Sequence, residues 1–215
     1  MKRAAHFDRS VQHKLIKCAQ SVNADIAIIS GDMTALSLHD EFKMARSSLK
    51  PFLVNQTSFV IAGNHDVYTK SSEKQQRFQR YFHEWMGEPI TKFFGGDGDG
   101  DGDVRVLQSH GVTILGVNSV QATYIGSRGY IRPQQLKQLE KVLSGNSVLQ
   151  NQVANNVILT LHYPVVDRDG RAYHKQHFWH GISNGDELIH VLSNAAIKPK
   201  LILHGHAHKG SFTSY

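Results

Sequence analysis

The chain alternates between stretches in which apolar residues recur at helical spacing and short continuous apolar runs rich in β-branched residues, a pattern that predicts an α/β fold. From Ser10, a candidate N-cap, Val11, Leu15, Cys18/Ala19 and Val22 mark an amphipathic helix that ends near Asn23. It leads into the apolar run Asp25-Ile26-Ala27-Ile28-Ile29-Ser30, a strand broken by Gly31-Asp32. A second helix is expected over His39–Leu49 with Phe42, Ala45 and Leu49 inward, stopped by Pro51. The strand Ser58–Ala62 then opens onto Gly63-Asn64-His65-Asp66, and Ser72 caps a helix whose Phe78, Tyr81, Phe82 and Trp85 form a core stripe.

In the second half, Val104–Leu107 and Val112–Val117 flank Ser109-His110-Gly111 as a hairpin, which requires a mixed sheet. Pro133 opens a helix with Leu136, Leu139, Val142 and Leu143 inward and Gly145 as its stop. The strand Val157–Leu161 runs into His162-Tyr163-Pro164. A helix with Leu188, Ile189 and Leu192 inward leads to the strand Lys200–Leu203 and to His204-Gly205-His206-Ala207-His208. Between them, 165–185 reads as a long loop bearing His174, His177 and His180, and His174 and His177 are expected on a substrate-facing rim.

Composition narrows this picture. The 215 residues, 40% hydrophobic and 20% charged, suffice for one core, so a single domain over 1–215 is expected. The balance of 24 basic against 18 acidic residues favours anionic ligands. Lys14, Lys17, Arg77 and Arg80 are spread over solvated helix faces, however, which argues against nucleic acid as a partner. One cysteine, Cys18, excludes an internal disulfide and a multi-cysteine zinc site, and its place on an apolar stripe predicts burial. No membrane span and no signal-peptide core is present, so a cytoplasmic setting is the expectation. Gly-Asp alternation over 95–103 reads as a flexible loop, and it lacks the closing Glu of a calcium-binding EF-hand.

The 14 histidines acquire meaning from where they fall. Four strands end in Asp32, Asn64, His162 and the pair His206 and His208, with His65 and Asp66 alongside. Oxygen and nitrogen donors delivered to one rim of a sheet are what a mixed-ligand metal site requires. A carboxylate with lone pairs on both oxygens can bridge two cations about 3.5–4 Å apart, and Asp32 is placed for that role.

Gly31-Asp32, Gly63-Asn64-His65-Asp66, His162 and Gly205-His206-Ala207-His208 resemble, in order and spacing, four of the five motifs of the calcineurin-like metallophosphoesterases. Val67-Tyr68, the Phe78–Trp85 helix and Gly116-Val117-Asn118-Ser119 are similar to the bacterial branch that includes class III cyclic-nucleotide phosphodiesterases. The resemblance covers nearly the whole chain and implies a four-layer αββα sandwich with mixed sheets. It implies two divalent metal ions (Mn, Fe or Zn), with Asp32 bridging, Asn64, His162 and His206 on one ion and His208 on the other. Asn64 and His65 would contact the substrate; His65 would stabilise charge or protonate the leaving oxygen, with Asp66 orienting its ring. A metal-bridging hydroxide would attack a small phosphoester, with phosphodiesters such as cyclic nucleotides expected.

One motif departs from this pattern. No Asp-x-His precedes Asp25, and His6-Phe7-Asp8 has the reverse order, so the second ion's ligands are incomplete. The expectation is a domain lacking a first strand and later strands, and possession of only one metal ion is the alternative to two. The competing readings are a non-catalytic remnant that binds at most one ion, and a nuclease of the same superfamily.

Overall fold

The computed structural model describes residues 9–94, 102, 104–123, 126–145 and 156–208. Its elements in chain order are α1 (Arg9–Ser21), β1 (Ile26–Ile29), α2 (His39–Leu53), β2 (Thr57–Val60), α3 (Lys70–Lys74), α4 (Arg77–Phe82), β3 (Glu88–Pro89), α5 (Thr91–Phe94), β4 (Arg105–Ser109) and β5 (Val112–Gly116). They continue as α6 (Pro133–Leu143), β6 (Val157–Thr160), α7 (Tyr173–Gln176), α8 (Gly185–Asn194) and β7 (Leu201–Leu203). Strands β1 and β2 pair in parallel as one sheet, and the other runs β3-β4-β5-β6-β7. Antiparallel pairing joins β3 to β4 and β4 to β5; β5, β6 and β7 run parallel. The hairpin turn at His110-Gly111 places both residues at positive φ, 50° and 72°, the backbone that a two-residue turn between right-twisted strands demands.

Three apolar clusters stack these elements into four layers. Phe42 and Ala45 of α2 and Phe78 and Phe82 of α4 pack on Val60 of the first sheet. Phe59, Ile61 and Ile114, with Ile26, Ile28 and Ile158 against them, fill the space between the two sheets. Leu136, Leu139 and Leu143 of α6 and Leu188 and Val191 of α8 cover Leu115, Val157 and Leu159 on the far face of the second sheet. This is the αββα order expected, with mixed pairing in the second sheet. The sheets approach closely where Gly116 faces Phe59: a Cβ there would meet the ring at 2.7 Å.

Several local expectations are corrected. Helix α2 continues through Pro51 to Leu53; a proline in the last turn forfeits only one terminal hydrogen bond, and the Asn55 amide caps the Pro51 carbonyl at 2.7 Å. The helix expected from Ser72 is instead two, with Thr69 as the cap of α3, and Gln76 breaks it at φ 50° before α4. Its aromatic stripe is nevertheless core. Cys18 is exposed, not buried: α1 is amphipathic, but Val11, Leu15 and Val22 are 60–68% exposed because nothing among the described residues covers that face. The Gly-Asp repeat, apart from Gly102, lies outside the described residues.

Candidate metal and phosphoester site

The site forms where the strands of both sheets end. The Ile61 N–H donates to the Ile29 carbonyl at 3.1 Å, extending the β1–β2 ladder into the two loops that follow. There Gly31, at φ 102°, crosses Gly63 so closely that a Cβ on Gly31 would lie 2.2 Å from the Gly63 nitrogen. A Cβ on Gly63 would lie 2.2 Å from Asp32 Oδ1. Glycine is required at both positions by this contact, which presses Asp32 against the Asn64–Asp66 turn. In the second sheet, the Leu161 and Gly205 N–H groups donate to the Leu203 and His162 carbonyls at 3.1 and 3.0 Å. Those bonds hold His162 beside the His206 loop.

The side chains from the two sheets meet at the Asn64 oxygen. Asn64 Oδ1 lies 2.9 Å from His162 Nε2 and 2.9 Å from His206 Nδ1. Asp32 Oδ2 lies 3.4 Å from the same His162 nitrogen. His162 is 1% exposed and Asn64 9%, so water does not satisfy them. The His162 Nδ1–H donates to the Ser30 carbonyl at 2.7 Å, so Nε2 is the ring nitrogen that faces the Asn64 and Asp32 oxygens. With its NH2 turned inward, Asn64 could satisfy both imidazoles by hydrogen bonds alone; the oxygen is the atom that faces them. With His162 Nε2 and His206 Nδ1 unprotonated, the four groups would present lone pairs to one another, as around a cation, where ligand bonds of ~2.1 Å set neighbouring donors roughly 3.0–3.4 Å apart. Asp32, Asn64, His162 and His206 thus bring the donor types of a mixed N/O site into pairwise contact at 2.9–3.4 Å. Among the described residues no three His, Cys, Asp or Glu side chains form a group that could hold a metal ion by themselves.

Burial works to raise the Asp32 carboxyl, but the His162 ring and the His65 N–H outweigh it and hold it below the usual carboxylate range. Burial, with His162 nearby, pushes His206 down to about 4, so near neutrality its ring is uncharged, the form that ligates. His208 lines the same pocket, is exposed, and is the one donor there without a comparable set of neighbours among the described residues.

His65 and Asp66 divide differently from expectation. The His65 N–H donates to Asp32 Oδ1 at 2.9 Å and its ring Nδ1–H to the Ala35 carbonyl at 2.8 Å. The ring stacks on Tyr68, with centroids 5.6 Å apart and planes 12° from parallel. Asp66 therefore does not orient the His65 ring; a backbone carbonyl does. Asp66 is fully buried and accepts from the Gly63 N–H at 2.9 Å, the Thr34 N–H at 2.8 Å and the Thr34 hydroxyl at 3.0 Å. It fastens the loop after β1 to the loop after β2. Burial above all raises its carboxyl to about 6.

A cavity of about 500 Å³ opens on this cluster, lined by Asp32, Asn64, His65, Tyr68, His206, Ala207 and His208. Its other wall is Gln121, Thr123, Gly126, Ser127, Tyr173 and His180. His174 and His177, expected on the rim, are not part of it. His174 is a half-buried wedge: a Cβ on Gly181 or Gly185 would meet it at 2.5 or 2.3 Å, and its Nε2 lies 3.4 Å from Asp186 without hydrogen-bond geometry. His177, exposed, packs on Tyr173 with ring centroids 4.3 Å apart and planes tilted by 34°. No periodicity marks Ser127, Tyr173 and His180; they meet through loop-to-loop hydrogen bonds between distant segments. Comparison with models of known families matches the chain, over residues 6–210, to calcineurin-like phosphoesterase. Comparison with curated proteins finds no match.

Proposed function

We infer, for a chain that belongs to the calcineurin-like phosphoesterase family of metal-dependent hydrolases, that Asp32, Asn64, His162 and His206 hold a divalent ion and that the adjoining cavity hydrolyses phosphodiesters such as cyclic nucleotides. The observation that carries this reading is the meeting of the His162 and His206 rings on the Asn64 oxygen at 2.9 Å, with the Asp32 carboxylate 3.4 Å from the same His162 nitrogen. The ion, when bound, supplies Lewis-acid polarisation and a nucleophile at neutral pH.

The chain's own residues supply the rest. His65, with Nδ1–H committed to Ala35, presents Nε2 to a phosphoryl group lodged against Asn64; as imidazolium, its Nε2–H would hydrogen-bond a developing negative charge or pass its proton to the leaving oxygen, the ring returning to neutral. Tyr68 holds that ring flat. Asp66 is a positioning residue: it fixes the Gly63 turn from which Asn64 and His65 project. Among the described residues no lysine or arginine lines the cavity, which favours a small ester over a polyanion and weighs against a nuclease.

A second reading, a fold that binds one ion without turnover, draws on the isolation of His208. Metal analysis and hydrolysis of bis(p-nitrophenyl) phosphate and a cyclic nucleotide with Mn, Fe or Zn separate the two. Turnover that depends on the metal and is lost in His65→Ala supports the enzyme; a stoichiometrically loaded protein with no turnover selects the scaffold. No helix among the described residues is long and apolar enough to cross a membrane.

A further inference from the structure

The cavity wall remote from the strand ends is built by two loop segments zipped together. The Ser127 N–H donates to the Trp179 carbonyl at 3.1 Å, the Gly129 N–H to Gly181 at 3.0 Å, and the Ser183 N–H to Gly129 at 2.8 Å. Asn184 closes the zipper by exchanging two bonds with the Ile131 backbone, at 3.0 and 2.8 Å. The Arg128 guanidinium sits 4.0 Å over the Phe178 ring on the outside. Beneath, the His174 wedge presses on Gly181 and Gly185, so the strap is supported from both sides.

This strap sets two side chains at the cavity in a defined pair. Ser127 Oγ lies 2.7 Å from His180 Nδ1, and the His180 ring is 6.2 Å from that of His206. Because a hydroxyl can donate or accept, Ser127 can stabilise either tautomer, and the Nε2 edge of His180 can in turn accept or donate. Thr123, its own hydroxyl proton spent on the Gly126 carbonyl at 2.9 Å, offers lone pairs. Gln121 and Tyr173 add an amide and a phenol to the same lining. Every one of these groups is neutral or adaptable, and among the described residues none is a lysine, arginine or additional carboxylate. Such a wall matches neither a second phosphate nor a cation, and with little aliphatic surface it does not match an alkyl chain. It matches hydroxyl groups, each a donor and an acceptor at once.

We propose that the strap wall recognises the hydroxyls of the ester's alcohol portion, a ribose-like or glycerol-like polyol, and that His180, pinned by Ser127, is the residue that sets this specificity. The inference rests on the phosphoesterase reading for the place of the phosphoryl group, but its binding component can be measured without turnover. Dissociation constants of adenosine monophosphate and of its dideoxy analogue, lacking both ribose hydroxyls, are determined for the full chain by ligand-observed NMR. The native protein favours the hydroxylated ligand by roughly tenfold, the scale of one or two hydrogen bonds. His180→Ala abolishes the preference, His180→Gln restores part of it, and Ser127→Ala, which releases the ring, weakens it.

In kinetics, the ratio of kcat/KM for a cyclic ribonucleotide to that for bis(p-nitrophenyl) phosphate falls by a similar factor in His180→Ala, through KM more than kcat. No preference in the native protein, no binding at all, or an equal preference in His180→Ala overturns the proposal. Should His180→Ala fail to fold, Ser127→Ala decides in its place. Hydroxyl-selective binding without phosphodiester hydrolysis leaves the wall standing and removes the enzyme; hydrolysis without selectivity does the reverse.

Discussion

The two walls of the cavity are made in opposite ways. The donor cluster hangs on strand ends, with glycine backbones in contact at Gly31 and Gly63, the carboxylate of Asp66 tying one loop to the next, and His162 and Asn64 almost wholly buried. The strap hangs on another loop, through backbone hydrogen bonds at 2.8–3.1 Å, and presents an exposed His180. The difference follows the tolerance of each task. A cation needs donors placed within a few tenths of an ångström, which rigid strand termini provide. Hydroxyl recognition accepts looser geometry, so a loop pair propped by a histidine suffices.

Substitutions that attack one wall should spare the other. The largest effect is expected from Asp32→Asn or His206→Ala, which should cost more in metal affinity than the ~10–100-fold typical of residues that merely support a ligand; metal-binding calorimetry reads this directly. His65→Ala should keep the metal and lose roughly 10²–10⁴-fold in kcat. If it lost the metal instead, His65 would belong to the donor set. Gly63→Ala, which drives a methyl group into Asp32, should destabilise the fold by ~1–3 kcal/mol in urea titrations and weaken the metal as well. Its counterpart in the strap, Gly181→Ala, meets the His174 backbone at 2.5 Å and should cost a similar ~1–3 kcal/mol while leaving metal affinity unchanged; a change there would show that the walls are coupled.

The smallest effect concerns pH in the metal-free protein. Asp66, raised to about 6, prefers its protonated form when folded, so the stability it contributes is present in acid and is lost as pH rises from 3.8 through 6. His206, lowered to about 4, does the opposite: its contribution is present above its ordinary value of 6.5 and is lost as pH falls toward 4. The two offset one another across the same window. Asp66→Asn removes one of them, so the difference in Tm between native protein and variant should shrink as pH rises from 4 to 7. A difference independent of pH would mean that Asp66 titrates alike in folded and unfolded chains.

The same contrast governs what the sequence reveals. Asp32, Asn64, His162 and His206 are each legible because each follows a continuous apolar run, and parallel strands carry their ends to one rim. The succession of helices and strands is legible from alternating periodicities, down to the inward residues of α6, whereas the αββα layer order is implied only by the family resemblance. By contrast, the Ser127–His180 pair depends on hydrogen bonds between segments some fifty positions apart, which no local spacing records. Of the histidines in that loop, His174 and His177 look as suitable as His180 until Gly181 and Gly185 are seen to close on His174. The role of Asp66 is missed for a related reason: adjacency to His65 suggests a partnership, whereas the turn directs its carboxylate back to Gly63 and Thr34. The exposure of Cys18 has a third cause, since an apolar stripe states that a helix can be covered and not what covers it.

Three donor positions, Asp32, His206 and His208, hold left-handed backbone at φ 60°, 63° and 52°. Residues with a Cβ resist this conformation at a cost of about 1 kcal/mol, and glycine does not. At these places the most stable chain and the most active chain are different sequences. Replacing any of the three by glycine should therefore relieve about 1 kcal/mol of backbone strain while removing the side chain that the proposed site uses.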